Sequence, residues 1–254
     1  MIKNIVLENI GFIDYFESPF NGGLNIVKTH DGETLAYSLG CITANFPLCK
    51  SFPTLLKRDS NIRSSLTLDK DYIFDMQGNN KKISSLFSQS REEDNFCFYI
   101  NGKFKNHKAR LAEYKDYEYF YPNCKFLKLT NGSCISRSFR AYLTEYIRNF
   151  KPQRLNPKKN FLIDINEIGE FYARNENGSD VFLSASEANL FDFLCFINLI
   201  EFWEGFEEIK DFNHIKKPII ITELFEMIDE SIPRDFILQR LKKLNRQIFL
   251  IERT

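Results

Sequence analysis

The sequence predicts an α/β protein whose C-terminal part is built on a parallel sheet. The run Pro218–Ile221 is short and continuously apolar, which is typical of a parallel strand covered on both faces. The segment Ser186–Phe206 is apolar around most of its circumference, which indicates a buried helix. Strand-like and helical segments alternate over the last hundred residues, and this order favours a β–α–β–α–β unit with parallel strands.

The first thirty residues alternate between apolar and polar side chains, as short strands do. Strands are predicted at Ile2–Glu8, Phe12–Glu17 and Leu24–Lys28. Asn21-Gly-Gly23 supplies the turn before the last of them, and Asp31-Gly32 marks another turn. A helix is predicted from Glu33 to about Ala44. This part of the chain is therefore expected to form a mixed N-terminal β region.

The middle of the chain carries weaker patterns. Strands are predicted at Ser65–Leu68, Tyr72–Asp75, Phe96–Ile100 and Phe126–Leu129, and helices at Lys105–Tyr114 and Arg137–Asn149. Gly78-Asn-Asn80 and Asn101-Gly102 are predicted loop tips. The basic segment 151–159 contains two prolines, so we predict a subdomain boundary or a lost insertion there.

Strands and one helix complete the C-terminal pattern. The predicted strands are Phe161–Ile165, Glu170–Ala173, Val181–Leu183 and Gln247–Ile251, and the predicted helix is Pro233–Leu244.

Composition excludes several classes of protein. The 254 residues contain 34 basic and 34 acidic side chains, so the chain is neither a globally basic nucleic-acid coat nor an acidic tail. A hydrophobic fraction of 43% with 26 phenylalanines predicts a globular core. No run reaches the ~18 apolar residues of a membrane span. Six scattered cysteines without a CxxC pair, and an N-terminus unlike a signal peptide, predict a reduced cytoplasmic protein with no membrane partner.

Four segments together resemble the heads of RecF/SMC-type ABC ATPases. MIKNIVLENIGFIDYFESPFNGGLNIV is similar to their opening strands, which lead into the phosphate loop. Val181-Phe-Leu-Ser-Ala-Ser-Glu187 resembles the LSxGE signature, and Pro218-Ile-Ile-Ile-Thr-Glu223 resembles the Walker B strand. Gln247–Thr254 resembles the final strand and its switch position. The resemblance covers residues 1–45 and 160–254 in the family's order.

The resemblance implies a fold and a set of site residues. The fold is a P-loop NTPase-like ABC ATPase head, with residues 1–254 as one head domain, an N-terminal lobe at 1–150 and a C-terminal lobe at 160–254. ATP and Mg²⁺ are the implied cofactors, bound weakly or supplied by a partner. The implied nucleotide-binding residues are Gly32, Glu33, Thr34, Ser184, Ser186, Glu187, Asp229 and Arg253. Thr34 would also hold the metal, and Glu223 would be the catalytic residue.

Three positions depart from that pattern. Glu33 lies in the slot of the phosphate-binding lysine, Thr222 in that of the metal-binding aspartate, and Arg253 in that of the switch histidine. A reversed charge at 4 Å is worth ~4 kcal/mol at an effective dielectric of 20, which opposes a triphosphate. The signature is better preserved than the phosphate loop. We therefore expect a non-hydrolysing subunit that completes the site of another ATPase head, or of a second copy, in DNA repair, chromosome maintenance or antiphage defence.

Each motif also has a purely structural interpretation. Asp31–Thr34 can be a turn into a helix, with an acidic residue in the first turn favoured by the helix dipole. Ser184–Glu187 matches the S-x-x-E capping box. Glu223 can pair with a neighbouring basic side chain. Asp229-Glu230-Ser231 can cap the next helix, with Ser231 as the N-cap.

Two further functions stay open from the residues alone. The chain can be a pure protein-interaction scaffold, or an ATPase whose site is rearranged around Lys28, Glu223 and Arg253. The basic clusters Lys103–Arg110 and 151–159 are either solvated faces or contacts for DNA phosphates. The second cluster would bind DNA through Lys151, Arg154, Lys158 and Lys159. His30, His107 and His214 lack metal-ligand spacing, and Gln77 and Gln89 are candidates for the family's Q-loop glutamine.

Overall fold

The computed structural model describes residues 1–42, 61–68, 73–79, 97–100, 103–106, 118–120, 137–179, 181–210, 219–228 and 230–254. The strands are β1 (Ile2–Ile10), β2 (Ile13–Pro19), β3 (Leu24–Thr29), β4 (Asn61–Leu68), β5 (Ile73–Asn79), β6 (Cys97–Ile100), β7 (Lys103–Asn106), β8 (Glu118–Phe120), β9 (Gln153–Arg154), β10 (Phe161–Ile165), β11 (Phe171–Asn175), β12 (Ile219–Thr222) and β13 (Ile248–Arg253). The helices are α1 (Gly32–Ile42), α2 (Arg137–Asn149), α3 (Ala185–Lys210), α4 (Leu224–Met227) and α5 (Arg234–Lys243).

The chain divides into two compact units that interleave in sequence. The first contains residues 1–120, 216–223 and 246–254, and the second contains residues 121–215 and 224–245. These boundaries differ from the lobes at 1–150 and 160–254, because β12 and β13 join strands from the N-terminal half. The single head domain over residues 1–254 stays a prediction.

A parallel sheet and an antiparallel sheet build the first unit. The parallel sheet has the order β3-β13-β12-β8, and the antiparallel sheet has the order β2-β1-β4-β5-β6-β7. All four residues of β12 are buried, as are the first five of β13, which explains why each strand begins with a continuous apolar run. The α/β prediction with a parallel-sheet core is therefore confirmed.

The second unit combines α2 to α5 with a small antiparallel sheet of order β11-β10-β9. The predicted helices over 137–149, 186–206 and 233–244 are confirmed within a few residues. The predicted strand at Phe161–Ile165 is confirmed as β10, which pairs antiparallel with both β9 and β11 and does not belong to the parallel sheet. No strand forms at Val181–Leu183. Among the described residues, no helix is both long and apolar enough to cross a membrane.

Pairing between strands overrides local pattern in the middle of the chain. Gly78 and Asn79 lie in β5 opposite Ile62 and Asn61, so the predicted loop at Gly78-Asn-Asn80 is wrong there. Lys105 lies in β7 opposite Phe98, so a helix does not begin at that residue. Asn106 also lies in β7, whereas residues 107–114 of that predicted helix and the strand Phe126–Leu129 lie outside the described residues. Strands do flank Asn101-Gly102 as predicted, with Ile100 paired to Lys103.

The aromatic cluster of the second unit makes Gly205 a sensitive position. Tyr142 packs against Phe202 and Phe206, with ring centroids 5.1 and 5.5 Å apart. A Cβ at Gly205 would overlap the Tyr142 hydroxyl, although alanine favours a helix by ~1 kcal/mol over glycine. We expect Gly205→Ala to lower the free energy of unfolding by about 1 kcal/mol, since overpacking costs ~1–3 kcal/mol. Urea unfolding measures this value.

A second substitution tests the cause. Tyr142→Phe removes the overlapping oxygen and leaves the ring carbon Cζ 3.3 Å from the new methyl group. The Gly205→Ala/Tyr142→Phe double variant should therefore recover the stability of the Tyr142→Phe single variant or exceed it. Equal destabilisation by Gly205→Ala in both backgrounds would contradict this explanation.

Candidate functional site

The junction between β3 and α1 corresponds to the predicted phosphate loop. β3 ends at Thr29 and α1 begins at Gly32, so only His30 and Asp31 connect them. A phosphate loop of the GxxxxGK[ST] type needs a longer connection, because its backbone N–H groups must surround the phosphates. The observed junction is a tight turn into a helix, which is the structural interpretation drawn from Asp31–Thr34.

The carboxylate of Asp31 caps the N-terminus of α1. Its Oδ1 accepts a hydrogen bond from the backbone N–H of Thr34 (3.0 Å), and its Oδ2 accepts one from the Thr34 hydroxyl. The Asp31 carbonyl also accepts the N–H of Leu35 (3.3 Å), the first bond of the helix. Asp31 is therefore an N-cap residue, and its negative charge lies at the positive end of the helix dipole.

The same carboxylate reaches the turn between β1 and β2. Oδ2 of Asp31 accepts the backbone N–H of Phe12 (2.9 Å), and the Phe12 carbonyl lies 2.7 Å from Nε2 of His30. Asn9, near the end of β1, and Gly11, in the turn, both have a φ of 56°, the left-handed region that only glycine adopts without cost. The two junction residues thus hold both main-chain groups of Phe12, whose side chain is 81% exposed.

Opposing effects act on the pKa of Asp31. Partial burial raises the pKa, but hydrogen bonds from Thr34 and Phe12 and the nearby His30 lower it more. The net pKa lies below its ordinary value of 3.8. Asp31 is accordingly a carboxylate at neutral pH.

The structure locates the predicted phosphate-loop residues at the start of α1. Gly32 is its first residue, Glu33 lies in its first turn, and Thr34 is fully buried. The Thr34 hydroxyl, assigned to a magnesium ion, donates to Asp31 instead. The alignment of these residues with the family motif stays a prediction.

Strand order brings the ends of β3, β13 and β12 to one edge of the parallel sheet. Arg253 pairs with Thr29, and Thr222 pairs with Ile251. The carboxyl ends of neighbouring parallel strands are the usual location of ligand sites in open α/β sheets. Arg253 is exposed at this edge, whereas Thr222 is 2% exposed and offers no carboxylate to a metal ion. Asp229 lies outside the described residues.

Glu223 follows β12 with an unusual backbone. It is exposed and has a φ of 52°. A non-glycine residue in this region costs of order 1–2 kcal/mol, and such strain concentrates at functional positions. The catalytic assignment of Glu223 stays a prediction, and its conformation is consistent with either a functional or a turn-forming role.

Backbone strain at Glu223 gives a stability prediction. Glu223→Gly should raise the free energy of unfolding by about 1 kcal/mol, because glycine adopts the left-handed region without steric cost. Glu223→Gln keeps the strain and should change stability little. Thermal unfolding of both variants measures the difference, and a less stable glycine variant would show that the side chain contributes more than the strain costs.

The signature-like segment of the second unit forms a capping box. Ser184 precedes α3, and its hydroxyl accepts the N–H of Glu187 (3.3 Å) while Oε2 of Glu187 accepts the N–H of Ser184 (3.0 Å). The S-x-x-E interpretation is therefore confirmed. Ser184 is exposed and Ser186 half-buried, with their hydroxyl oxygens 3.4 Å apart. Glu187 is 3% exposed, so the serines rather than the glutamate face solvent.

Lys159 connects the basic segment to this box. Its ammonium forms an ion pair with Oε1 of Glu187. Burial raises the pKa of Glu187, but hydrogen bonds from Lys159 and Ser184 outweigh it, and the net pKa lies below the ordinary 4.5. The carboxylate of Glu187 thus stays charged while nearly buried.

The basic segment 151–159 is an integral part of the second unit. It contains β9, which pairs Gln153 with Ile163, and it buries Leu155 and Asn156 completely. None of the four points at which the chain crosses between the two compact units lies in this segment, and the alternative of a lost insertion stays a prediction. Arg154 pairs with Glu176 (2.9 Å) and Lys159 with Glu187. Lys151 and Lys158 are exposed, so they are the better candidates for DNA contact.

Two features escaped the sequence interpretation. Asp31 precedes Thr34 by three residues, a spacing typical of an N-cap, and this signal could have identified the carboxylate. Ser231 was expected to be the N-cap of α5, but Pro233 holds that position without a side-chain cap. The Ser231 hydroxyl instead accepts a hydrogen bond from the Asn156 amide (2.9 Å).

Comparison with known proteins identifies the fold. The head of an SMC protein bound to the C-winged helix domain of ScpA matches with a TM-score of 0.56, at 11% identity, over 100% of this chain and 89% of that chain. The recombination mediator protein RecF bound to ATP matches with a TM-score of 0.51, at 12% identity, over 100% of this chain and 93% of that chain. The fold is that of an ABC-type ATPase head. No protein-family model and no curated sequence matches.

The correspondence of the β3–α1 junction with a phosphate loop, and of the capping box of α3 with a signature motif, stays a prediction. At 11–12% identity these matches establish the fold alone.

Proposed function

We propose that this ABC-type head does not hydrolyse ATP and pairs with another ATPase head, or with a second copy of itself. The main observation behind this proposal is that the Asp31 carboxylate lies at the N-terminus of α1, where only two residues connect β3 to the helix. Helix N-termini of this kind bind phosphate in active heads. Here the position already carries a negative charge, and Glu33 in the first turn adds another. Both charges oppose a triphosphate.

The remaining chemistry supports the same proposal. Thr222 lacks the carboxylate that would hold Mg²⁺, and the Thr34 hydroxyl is bonded to Asp31. The exposed Ser184 at the start of α3 is suited to meet a phosphate held by a partner head, because the first N–H groups of a helix attract anions. We propose that such a complex acts in DNA repair, chromosome maintenance or antiphage defence, since one structural relative is a recombination mediator.

Calorimetry tests the first half of the proposal. The purified chain, titrated with ATP and Mg²⁺, should show no binding in the micromolar range and no release of phosphate. Micromolar binding with turnover would instead favour the second candidate, an ATPase rearranged around Lys28, Glu223 and Arg253. The position of Arg253 beside Thr29 favours that candidate, because it brings a cation to the sheet edge.

The second half is tested on the ATPase rate of a partner head co-purified from native cells. Ser184→Asn keeps a good N-cap but replaces the hydroxyl, whereas Ser184→Thr keeps both. The asparagine variant should lower the partner's stimulated rate at least ~10-fold, and the threonine variant should retain most of it. If the partner's ATPase rate is the same with wild type, the asparagine variant and the threonine variant, the result would favour a scaffold without a nucleotide role.

We also propose that Lys151 and Lys158 contact DNA. Reversing both charges to glutamate should abolish a salt-dependent mobility shift with duplex DNA. The matched control reverses Lys242 and Lys243, which are exposed in the last turn of α5. A shift that both pairs weaken equally would indicate a nonspecific charge effect.

A further inference from the structure

The three donors around Asp31 are of the kind that bind phosphate oxygens. Two are backbone N–H groups, from Thr34 and Phe12, and the third is the Thr34 hydroxyl. They come from two separate elements, α1 and the β1–β2 turn. Thr34 is fully buried, so its hydroxyl and N–H depend on a partner within the protein.

We propose that the Asp31 carboxylate is a built-in substitute for a bound phosphate, which locks the β1–β2 turn to α1 without nucleotide; this rests on the proposed function. A bound anion at this position would join the two elements only for as long as it stayed bound. In this chain the joining anion is the side chain of Asp31, so the contact needs no ligand. The contact is also autoinhibitory, because it occupies the donors that an incoming phosphate needs.

His30 makes a second contact with the same turn residue, Phe12. Its Nε2 lies 2.7 Å from the Phe12 carbonyl, while Asp31 accepts the Phe12 N–H. Gly11 has no side chain, and a Cβ there would overlap the Thr34 hydroxyl and lie 2.9 Å from Oδ2 of Asp31. The turn therefore approaches the carboxylate so closely that only glycine fits, as expected of a permanent contact.

Thermal unfolding with sodium pyrophosphate tests the lock on the full chain. Asp31→Ser keeps a good N-cap but shortens the side chain, which frees the Phe12 N–H and makes room for an anion. The midpoint of this variant should fall by a few degrees, and about 10 mM pyrophosphate should restore about 3 °C of it. The wild-type midpoint should not respond. Sodium chloride at equal ionic strength controls for screening.

Two further variants separate the loss of the cap from the loss of an acidic residue in general. Asp31→Ala removes the cap as well and should show a larger loss with a similar pyrophosphate response. Asp235→Ala removes an exposed acidic residue from the first turn of α5 and should show no response. An equal response of wild type and Asp31→Ser, or no response of either Asp31 variant, would overturn the lock. The proposed function is unaffected by that failure if wild type still stimulates the partner head.

Discussion

Gly11→Ala is expected to lower the free energy of unfolding by about 3 kcal/mol or more. A left-handed alanine costs ~1–2 kcal/mol, and Gly11 has a φ of 56°. The added methyl group would also overlap the Thr34 hydroxyl and crowd Oδ2 of Asp31. Overpacking of this kind costs ~1–3 kcal/mol, because backbone and cap must shift. Urea unfolding of the purified variant measures the sum.

Gly178→Ala separates the two contributions. Gly178 has a φ of 80°, but a Cβ there meets no atom within 4 Å. This control should therefore lose only the backbone term of ~1–2 kcal/mol. Similar losses at Gly11 and Gly178 would contradict the close approach between the β1–β2 turn and the Asp31 carboxylate.

Glu187→Ala is expected to lower the free energy of unfolding by about 2 kcal/mol. The substitution removes half of the capping box and the nearly buried partner of Lys159. An N-cap interaction contributes ~1 kcal/mol and a hydrogen bond to a charged group ~1.5–3 kcal/mol. Because Lys159 is half-exposed, solvent screening reduces the contribution of its ion pair. The matched control is Glu187→Gln, whose amide oxygen can still accept the Ser184 N–H. It should lose less than the alanine variant.

The pH dependence of the same carboxylate has a defined sign. The folded-state pKa of Glu187 lies below its ordinary value of 4.5. The folded protein therefore binds this proton less readily than the unfolded chain, so the group stabilises the fold above pH 4.5. That contribution declines as the pH falls through the lowered pKa. The stability difference between wild type and Glu187→Gln should accordingly shrink in acid, and a difference that grows would contradict the ion pair with Lys159.

Local sequence determined the parts of the fold in which one periodicity dominates. The all-round apolar segment became α3, with Leu190, Phe193 and Ile197 buried. Ile219–Ile221 of the predicted strand Pro218–Ile221 form a parallel strand, since a continuously apolar strand needs cover on both faces. The S-x-x-E spacing before α3 became a capping box, because its two side chains lie one turn apart.

Local sequence failed where distant partners decide conformation. Gly78 and Asn79 of the tip predicted at Gly78-Asn-Asn80 lie in a strand because β4 pairs alongside them. Within the basic segment predicted as a subdomain boundary or a lost insertion, Gln153 and Arg154 form β9 because β10 offers them backbone partners. Strand pairing depends on residues far apart in the chain, which a local pattern does not report.

The sequence alone determined the α/β class, and it predicted the reversed charge at Glu33 and the missing carboxylate at Thr222. Only the tertiary structure revealed how the N-terminus of α1, the predicted phosphate-loop position, is filled. Asp31 is only three residues from Thr34, which supplies two of the hydrogen-bond donors to its carboxylate. The third donor is the N–H of Phe12, nineteen residues before Asp31. Chain folding brings that N–H to the carboxylate, because β1, β2 and β3 place their turn and junction together. A contact between separate elements follows from packing and has no local sequence signal.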